Sequence, residues 1–381
     1  MNTFPLFSTV NTPEMESVAI EVMRSGRIAS GSFVTEFESG LVNKLGQQNI
    51  VSTIDMTSAI HLALYLAGVR AGDHVLTTAF ACMSTNSPIA SMGARPIWVD
   101  MAANAAYIDV ADFEAAITPE TKAAIIYHLS GYPGPANEIA AICKRRGIFL
   151  IEDCDNAFLA TINDVNVGSF GDFAVYSFYP TRQINTLEGG ALVCKNPAHA
   201  LQAKKLRRFG IDATSFRDST GEINAESNIP EAGWSIGLNN FCSALGCSQL
   251  ESVDARVQKS RANALMLEKK FSLIPELHLL RQLPNTLSSF WTFLVQAECR
   301  DEILVQLKAH GILASKLHQR NDVYSCFISS PRDLPNTAEL QRTVLAIPCG
   351  WWLSSNDIEY IADVMERVIT NISPARYKVG V

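Results

Sequence analysis

The sequence predicts an α/β protein with a mostly parallel sheet, followed by a smaller α+β part at the C-terminal end. From about residue 48, short apolar runs alternate with segments of helical length, which is typical of a parallel sheet covered by helices. A long helical stretch from about residue 240 to 271 follows, and fewer strands come after it. The length of 381 residues fits two domains, which we place at 1–250 and 251–381.

The elements follow one another in a regular order. Two amphipathic helices are predicted first, at 13–25 and 33–45. Seven runs of strand length come next, with helices between most of them, and these are VSTI, HVLTT, RPIWVD, KAAIIYH, IFLIED, FAVYSF and ALVCK. Residues 212–232 are rich in Asp, Ser and Asn and predict an exposed loop. The C-terminal part is predicted to hold PELHLLRQLP, SSFWTFLVQ, a helix at 301–310, ILASKLH, VLAIPCG and a last helix from about Ser355.

The composition argues against several classes of protein. The net charge is −7, whereas nucleic-acid-binding proteins usually carry a basic face. No apolar stretch reaches the roughly 20 residues of a membrane helix, and the N-terminal segment lacks the regions of a secretory signal. We therefore expect a cytoplasmic location. The nine cysteines form no CxxC and no Cys/His cluster with zinc-like spacing, so reduced thiols and no metal site are expected.

Ligands of open α/β sheets bind beyond the carboxyl ends of the strands, where three candidate sites lie. Thr57 and Ser58 open a helix after VSTI, and hydroxyls with free N–H groups suit a phosphate, although taken alone they are explained more simply by an ordinary N-cap. Asp153 ends IFLIED, and a buried carboxylate there needs a partner, either a pyridine nitrogen, an arginine or a backbone cap. Ser177 in FAVYSF either donates to a second phosphate oxygen or bonds the nearby backbone.

These sites, in this order, resemble the DegT-type sugar aminotransferases, which are pyridoxal-phosphate enzymes of the aspartate-aminotransferase fold. The resemblance covers nearly the whole chain. The matching stretches are RSGRIASGSFVTEFE, AGDHVLTT, GARPIWVD, ITPETKAAIIYHLSGYP, GIFLIEDCDNA, GSFGDFAVYSFYPT, EGGALVCKN, LRRFGID, IPEAGWSIGLNNFCSALGCSQL and RNDVYSCF with LAIPCGWWLS. The later stretches are most similar to the branch that includes perosamine-synthase-like proteins.

The resemblance implies a role for each candidate around a bound pyridoxal 5'-phosphate or pyridoxamine 5'-phosphate. Thr57 and Ser58 match the phosphate-binding helix start, and Ser177 matches a phosphate-binding serine. Asp153 matches the carboxylate that pairs with the pyridine nitrogen, and Asn156 replaces the usual glutamine beside the 3-hydroxyl.

Two further positions concern the partner subunit and the substrate. Asn239, or with less support Ser235, is implied to approach the phosphate of the partner subunit in a homodimer. His318 lies where the family often contacts a nucleotide sugar, which is the implied substrate. The charged fraction of 18%, below the roughly 25% of typical soluble domains, is consistent with an oligomer interface.

The chain departs from the family at the Schiff-base lysine. That residue should lie six positions before Glu188, and Arg182 stands there, with no lysine between Lys144 and Lys195. Covalent attachment needs a neutral amine, which lysine supplies readily, whereas a guanidinium with a pKa above about 12 stays charged. Arginine is also a poor base for moving a proton between substrate carbons, a step worth roughly 10²–10⁴-fold. We therefore expect the cofactor to be held non-covalently.

A second departure concerns the opposite face of the cofactor ring. Many relatives place an aromatic residue there, and the matching position is Ala81. Phe80 and Met83 are alternatives that would cover the ring.

Several functions therefore stay open. The resemblance implies an enzyme of amino- or deoxy-sugar biosynthesis that acts on a nucleotide-linked keto sugar with an altered mechanism. One alternative is a pyridoxamine-dependent sugar dehydratase, because related dehydratases also lack the lysine. Another is a catalytically inactive homologue that serves as a binding protein or partner subunit. A Lys→Arg variant of an active parent is the remaining alternative.

Overall fold

The structure is a computed structural model that describes residues 3–377. Its strands are β1 (Ile50–Thr53), β2 (His74–Thr78), β3 (Arg95–Val99), β4 (Thr121–Tyr127), β5 (Phe149–Asp153), β6 (Thr161–Ile162), β7 (Val165–Asn166), β8 (Phe173–Ser177), β9 (Gly190–Cys194), β10 (His278–Leu279), β11 (Thr286–Leu287), β12 (Phe293–Gln296) and β13 (Val344–Ile347). Its helices are α1 (Pro13–Ser25), α2 (Phe33–Leu45), α3 (Met56–Leu66), α4 (Met83–Ser91), α5 (Val110–Ala115), α6 (Ala136–Arg146), α7 (Pro197–Leu206), α8 (Asn240–Cys247), α9 (Val253–Phe271), α10 (Arg300–Ala309), α11 (Pro335–Thr343) and α12 (Ser355–Tyr377).

The central sheet confirms the predicted fold class. Its seven strands lie in the order β1-β9-β8-β5-β4-β2-β3. All neighbouring pairs are parallel except those of β9, which is antiparallel to both β8 and β1. Residues 178–189 join β8 to β9 without a helix, so the chain returns as a neighbouring antiparallel strand.

The strand direction brings the candidate residues to one edge of the sheet. β1, β2, β4, β5 and β8 all run the same way, and their carboxyl ends therefore lie at the same edge. Asp153 is the last residue of β5, and Ser177 is the last residue of β8. The start of α3 follows β1 at this edge, which is where ligands of such sheets bind.

The prediction of a single long helix at 240–271 is wrong, because the chain forms two helices there, α8 and α9, with turns at 248–252 between them. The buried amide of Gln249 explains the break. Its Nε2 donates to the carbonyls of Leu245 and Asn185, and its Oε1 accepts from the Asn185 N–H. The side chain thus ties the end of α8 to a distant loop. The predicted domain boundary near residue 250 falls in this break and stays a prediction.

The C-terminal part holds a three-stranded sheet in the order β10-β12-β13; α10 packs against β13, and α12 packs against α9 and α10. Residues 312–318, predicted as strand-like, form only isolated bridges, at Ile312 and Ser315. The predicted loop at 212–232 has neither a helix nor an extended strand, and most of its residues are exposed. Among the residues described, no helix combines the length and apolar character that crossing a bilayer requires.

Candidate active site

Asp153 is fully buried at the centre of the site, and two donors hold it. The Thr85 hydroxyl donates to Oδ2 at 2.7 Å, and the Asp155 backbone N–H donates to Oδ1 at 3.0 Å. Burial and the neighbouring Asp155 carboxylate raise the pKa of Asp153 to about 7. The backbone cap that was one of the alternatives for this residue is therefore present. A nearby cation would favour the ionised form of the carboxyl.

Arg182 forms a bidentate ion pair with Asp155. Its Nε lies 2.5 Å from Oδ1, and its second terminal nitrogen, Nη2, lies 2.8 Å from Oδ2. Both side chains are nearly buried, with 12% of Arg182 and 2% of Asp155 exposed. Burial acts to lower the pKa of Arg182, but the Asp155 carboxylate outweighs it and the net shift is upward. The guanidinium stays charged and cannot form a covalent link to an aldehyde.

An aromatic ring holds the guanidinium from another side. The central carbon of the Arg182 guanidinium lies 4.5 Å from the ring centroid of Trp291, within the range of a cation–π contact. The Trp291 indole N–H donates to the Thr181 carbonyl, and its ring stacks on Phe7 with centroids 4.0 Å apart. Arg182 also donates to the Thr181 hydroxyl at 3.0 Å. These contacts fix the orientation of the guanidinium.

A carboxylate caps the start of α3, which is the place where the sequence predicts a phosphate site. Asp55 is the N-cap of α3, and its Oδ1 accepts from the Ser58 N–H at 2.7 Å. The alternative of an ordinary N-cap is therefore present, with Asp55 as the capping residue. Thr57 and Ser58 lie half-buried in the first turn. Burial and the charge of Asp55 raise the pKa of Glu188, so two acidic groups lie close together here.

Ser177 and Asn239 bond to backbone as well. The Ser177 hydroxyl oxygen accepts from the Tyr179 N–H at 3.3 Å, as its alternative interpretation expects. Asn239 is the N-cap of α8 and accepts from the Cys242 N–H at 2.8 Å, while Ser235 is exposed. The Cys242 thiol interacts with the Glu188 backbone, so the start of α8 lies beside the turn into β9.

Asn156, Tyr127 and His318 form one group. The Asn156 amide donates to the Tyr127 hydroxyl, which lies 3.4 Å from Nε2 of His318. Burial lowers the pKa of His318 to about 4, so its imidazole is neutral near pH 7. Asn156 Oδ1 is buried without a hydrogen-bond partner in the part of the chain that is described. A buried oxygen of this kind is suited to accept from a bound hydroxyl or amine.

Residues 80–83 form the segment that is predicted to cover the cofactor ring. Ala81 and Phe80 are buried, and the Phe80 ring lies 5.7 Å from that of His318. Met83 is 37% exposed at the start of α4. The covering of the ring by Phe80 or Met83 stays a prediction.

Asp155, Tyr127 and Trp291 belong to the site but were not among the residues predicted from the sequence. Asp155 carried a signal, because a second acid directly after a strand-end acid creates a like-charge pair that requires a counter-ion. Trp291 carried none, since it lies more than a hundred residues from Arg182 in the chain.

One buried group resembles a metal site in its residue types. The ligand atoms of His128, Glu152 and Cys154 lie within 4.8 Å of one another. Glu152 accepts from His128 and from three backbone N–H groups of the 168–171 turn, and the other nitrogen of His128 accepts from the Gly134 N–H. These bonds occupy the Glu152 carboxylate and both ring nitrogens of His128, and they hold the 168–171 turn against β5. The expectation of no metal stays a prediction.

The model of the DegT/DnrJ/EryC1/StrS aminotransferase family matches residues 10–366. The chain belongs to this family. A dTDP-4-dehydro-2,3,6-trideoxy-D-glucose 4-aminotransferase of Saccharopolyspora spinosa is 27% identical over 94% of this chain and 95% of its own length. A GDP-perosamine synthase of Escherichia coli O157:H7 is 28% identical over 92% of each chain. The crystal structure of sugar aminotransferase CalS13 from Micromonospora echinospora is 29% identical, covers 96% of this chain and 99% of its own, and superposes with a TM-score of 0.90.

These matches confirm the family and the fold that were predicted from the sequence. The predicted cofactor, pyridoxal or pyridoxamine phosphate, is that of the family. The residues of this chain fit that group unevenly. The unpartnered Asn156 oxygen and the Asp153 carboxyl suit the ring. The pinned guanidinium of Arg182 does not suit covalent attachment, and the Asp55 carboxylate at the start of α3 disfavours a phosphate dianion.

Proposed function

We propose that this member of the family binds a nucleotide-linked keto sugar of amino- or deoxy-sugar biosynthesis but does not transfer an amino group by the lysine-dependent route. The observation that carries this proposal is the bidentate pair between Arg182 and Asp155. It replaces a reactive amine with a cation that is fixed in place. The function is then binding, either as a regulatory homologue or as the partner of an active subunit.

Proton transfer is a second requirement, and the groups around position 182 do not supply it. The pKa of Tyr127 is raised well above 10, by burial first and by the charges of Asp155 and Asp153 next. The pKa of His318 is about 4, and Arg182 stays charged. A group that shuttles protons works best with a pKa near the working pH. Tyr127, His318 and Arg182 have no such pKa, and Asp153, whose pKa is about 7, has both carboxyl oxygens held by the Thr85 hydroxyl and the Asp155 N–H.

The substrate class is proposed from the relatives and from the cleft. Two of the relatives named above carry a dTDP-linked or a GDP-linked sugar in their names. His318 presents a neutral imidazole beside Tyr127, which is suited to bond a sugar hydroxyl or a carbonyl. We extend this substrate class, a homodimeric state and a cytoplasmic location to the present chain as parts of the proposal.

A second candidate is an enzyme that uses unattached pyridoxamine phosphate, for example as a dehydratase. The unpartnered Asn156 oxygen and the buried Asp153 carboxyl favour it, because the first can accept from a ring hydroxyl and the second, when ionised, can accept from a protonated ring nitrogen. Bound pyridoxamine phosphate would supply an amino group and an electron-accepting ring. Asp153 would hold the ring nitrogen, and Asn156 would orient the ring.

Binding and turnover measured on the same protein distinguish these candidates. The wild-type protein is mixed with keto sugars linked to dTDP or GDP, with pyridoxal or pyridoxamine phosphate and with glutamate. We expect calorimetry to detect nucleotide-sugar binding and mass spectrometry to detect no amino sugar. An amino-sugar product contradicts the proposal, and a deoxygenated keto sugar supports the second candidate instead. The proposal is also contradicted if the protein binds neither the dTDP-linked nor the GDP-linked keto sugars.

A further inference from the structure

Asp155 is placed to determine what position 182 can do, an inference that rests on the proposed function. The residue follows β5 directly, and its backbone N–H caps Asp153, so its own position is fixed. Its two carboxylate oxygens bond two nitrogens of Arg182. Asp155 is more deeply buried than Arg182, with 2% of its side chain exposed. A carboxylate in such a place requires a cation close by.

A lysine at position 182 would meet the same surroundings. Its ammonium group would reach toward the Asp155 carboxylate, and an opposite charge within about 4–6 Å raises the pKa of an amine. The Trp291 ring, now 4.5 Å from the guanidinium carbon, favours a cation as well. A covalent link to an aldehyde forms when a neutral amine attacks the carbonyl carbon and water leaves. A lysine held as an ammonium ion by Asp155 would lack the free electron pair that this step uses.

We propose that Asp155 and Arg182 are a matched pair, in which Asp155 holds whichever basic side chain stands at position 182 in its charged and unreactive form. Asp155 is thus a positioning residue, and the block on covalent cofactor attachment belongs to the pair and not to the arginine alone. Exchange of Arg182 for lysine leaves the block in place. Exchange of both residues removes it.

The test compares Arg182→Lys with Asp155→Asn/Arg182→Lys. Each folded variant is incubated with pyridoxal 5'-phosphate at pH 7.5 and reduced with borohydride. The fraction of reduced adduct on the peptide that contains residue 182 is then measured by mass spectrometry. We expect at least tenfold more reduced adduct at position 182 in the double variant than in the single one. Equal amounts in the two variants overturn the proposal. A folded double variant that forms no adduct overturns it as well.

A matched control removes a carboxylate of similar geometry elsewhere. Asp112 forms a bidentate pair with Arg332 and contacts none of the cleft residues named above. Asp112→Asn/Arg182→Lys should behave like the single variant. If it forms as much adduct as Asp155→Asn/Arg182→Lys does, the effect is not specific to Asp155.

A measurement on the single variant serves where the double variant fails to fold. The amount of adduct in Arg182→Lys is followed against pH, and a midpoint at or above the ordinary lysine pKa of about 10.4 is expected. A midpoint near pH 8 overturns the proposal. Failure of the proposed function appears separately, as amino-sugar formation by the wild-type protein.

Discussion

At the scale of single residues, charge in the cleft follows from a few neighbouring side chains. Asp153 and Asp155 lie next to each other, and Arg182 compensates Asp155. Burial of Asp153 and, after it, the charge of Asp155 raise the pKa of Asp153 toward neutrality, although the Arg182 cation acts to lower it. An arginine at position 182 has a physical reason once Asp155 is present, because a buried acid without a cation is costly.

The raised pKa of Asp153 predicts a pH-dependent contribution to stability. The ordinary value of 3.8 applies to the unfolded chain, and the folded value is about 7. Between these values the folded protein keeps a proton that the unfolded chain loses. This contribution to the free energy of unfolding is thus full below about pH 4, declines as the pH rises to about 7, and is constant above that.

Comparison with Asp153→Asn isolates this contribution. Urea unfolding at pH 5, 6, 7 and 8 should show the wild type losing stability relative to Asp153→Asn up to about pH 7. Asp212→Asn is the control. The pKa of the Asp212 carboxyl is lowered, chiefly through hydrogen bonds from Lys205 and Thr214, so this group does not change its charge between pH 5 and pH 8. A difference between wild type and Asp153→Asn that is the same at every pH would contradict this prediction.

At the scale of secondary-structure elements, the start of α3 serves two purposes that conflict. Asp55 satisfies the Ser58 N–H, which stabilises the helix. Its negative charge, beside Glu188, also weakens the binding of any phosphate at the same helix start. Substitutions at position 55 separate the two effects.

Asp55→Ser keeps a capping oxygen and removes the charge. We expect its free energy of unfolding to stay within about 0.5 kcal/mol of the wild type, whereas Asp55→Ala loses about 1 kcal/mol. Both variants should bind pyridoxamine phosphate roughly fivefold more tightly, since like-charge repulsion of about 1 kcal/mol is relieved. Isothermal calorimetry with pyridoxamine phosphate measures the affinity.

The matched control is Asp109→Ser at the N-cap of α5, where the same exchange removes a charge from another helix start. It should leave the affinity for pyridoxamine phosphate unchanged. If Asp55→Ser also leaves the affinity unchanged, the start of α3 is not where the phosphate binds.

Elements differ in how well the sequence predicts them. The buried strands were predictable because local apolar runs and alternation with helices describe a parallel sheet. The break between α8 and α9 was not, since it depends on Gln249 bonding Asn185, a residue 64 positions away. The contact of Arg182 with Trp291 is likewise a product of the folded chain. Local patterns thus predicted the sheet and its strand-end acid, whereas the partners of that acid needed the structure.

At the scale of the whole molecule, an apolar surface lies beside β1 at the edge of the central sheet. It consists of Ile54, Leu187 and Phe209, which are 41%, 50% and 49% exposed. Ile54 and Phe209 lie together because their N–H groups donate to the carbonyls of residues 236 and 234. Leu187 precedes Gly190, which pairs with Thr53. This surface therefore adjoins the site at the carboxyl end of β1.

We predict that this surface is buried in the proposed homodimer, so that Phe209→Asp yields a monomer. Phe209 has a φ of 61°, and aspartate adopts this left-handed conformation more readily than most residues, so the fold should be retained. Sedimentation velocity at micromolar concentrations should give a dimer for the wild type and a monomer for Phe209→Asp, with similar melting temperatures. Leu273→Asp changes a leucine that is 77% exposed outside this surface, and it should stay dimeric. The prediction is contradicted if the wild type sediments as a monomer at all concentrations. It is also contradicted if Phe209→Asp remains dimeric, because a charge buried in an apolar interface costs several kcal/mol.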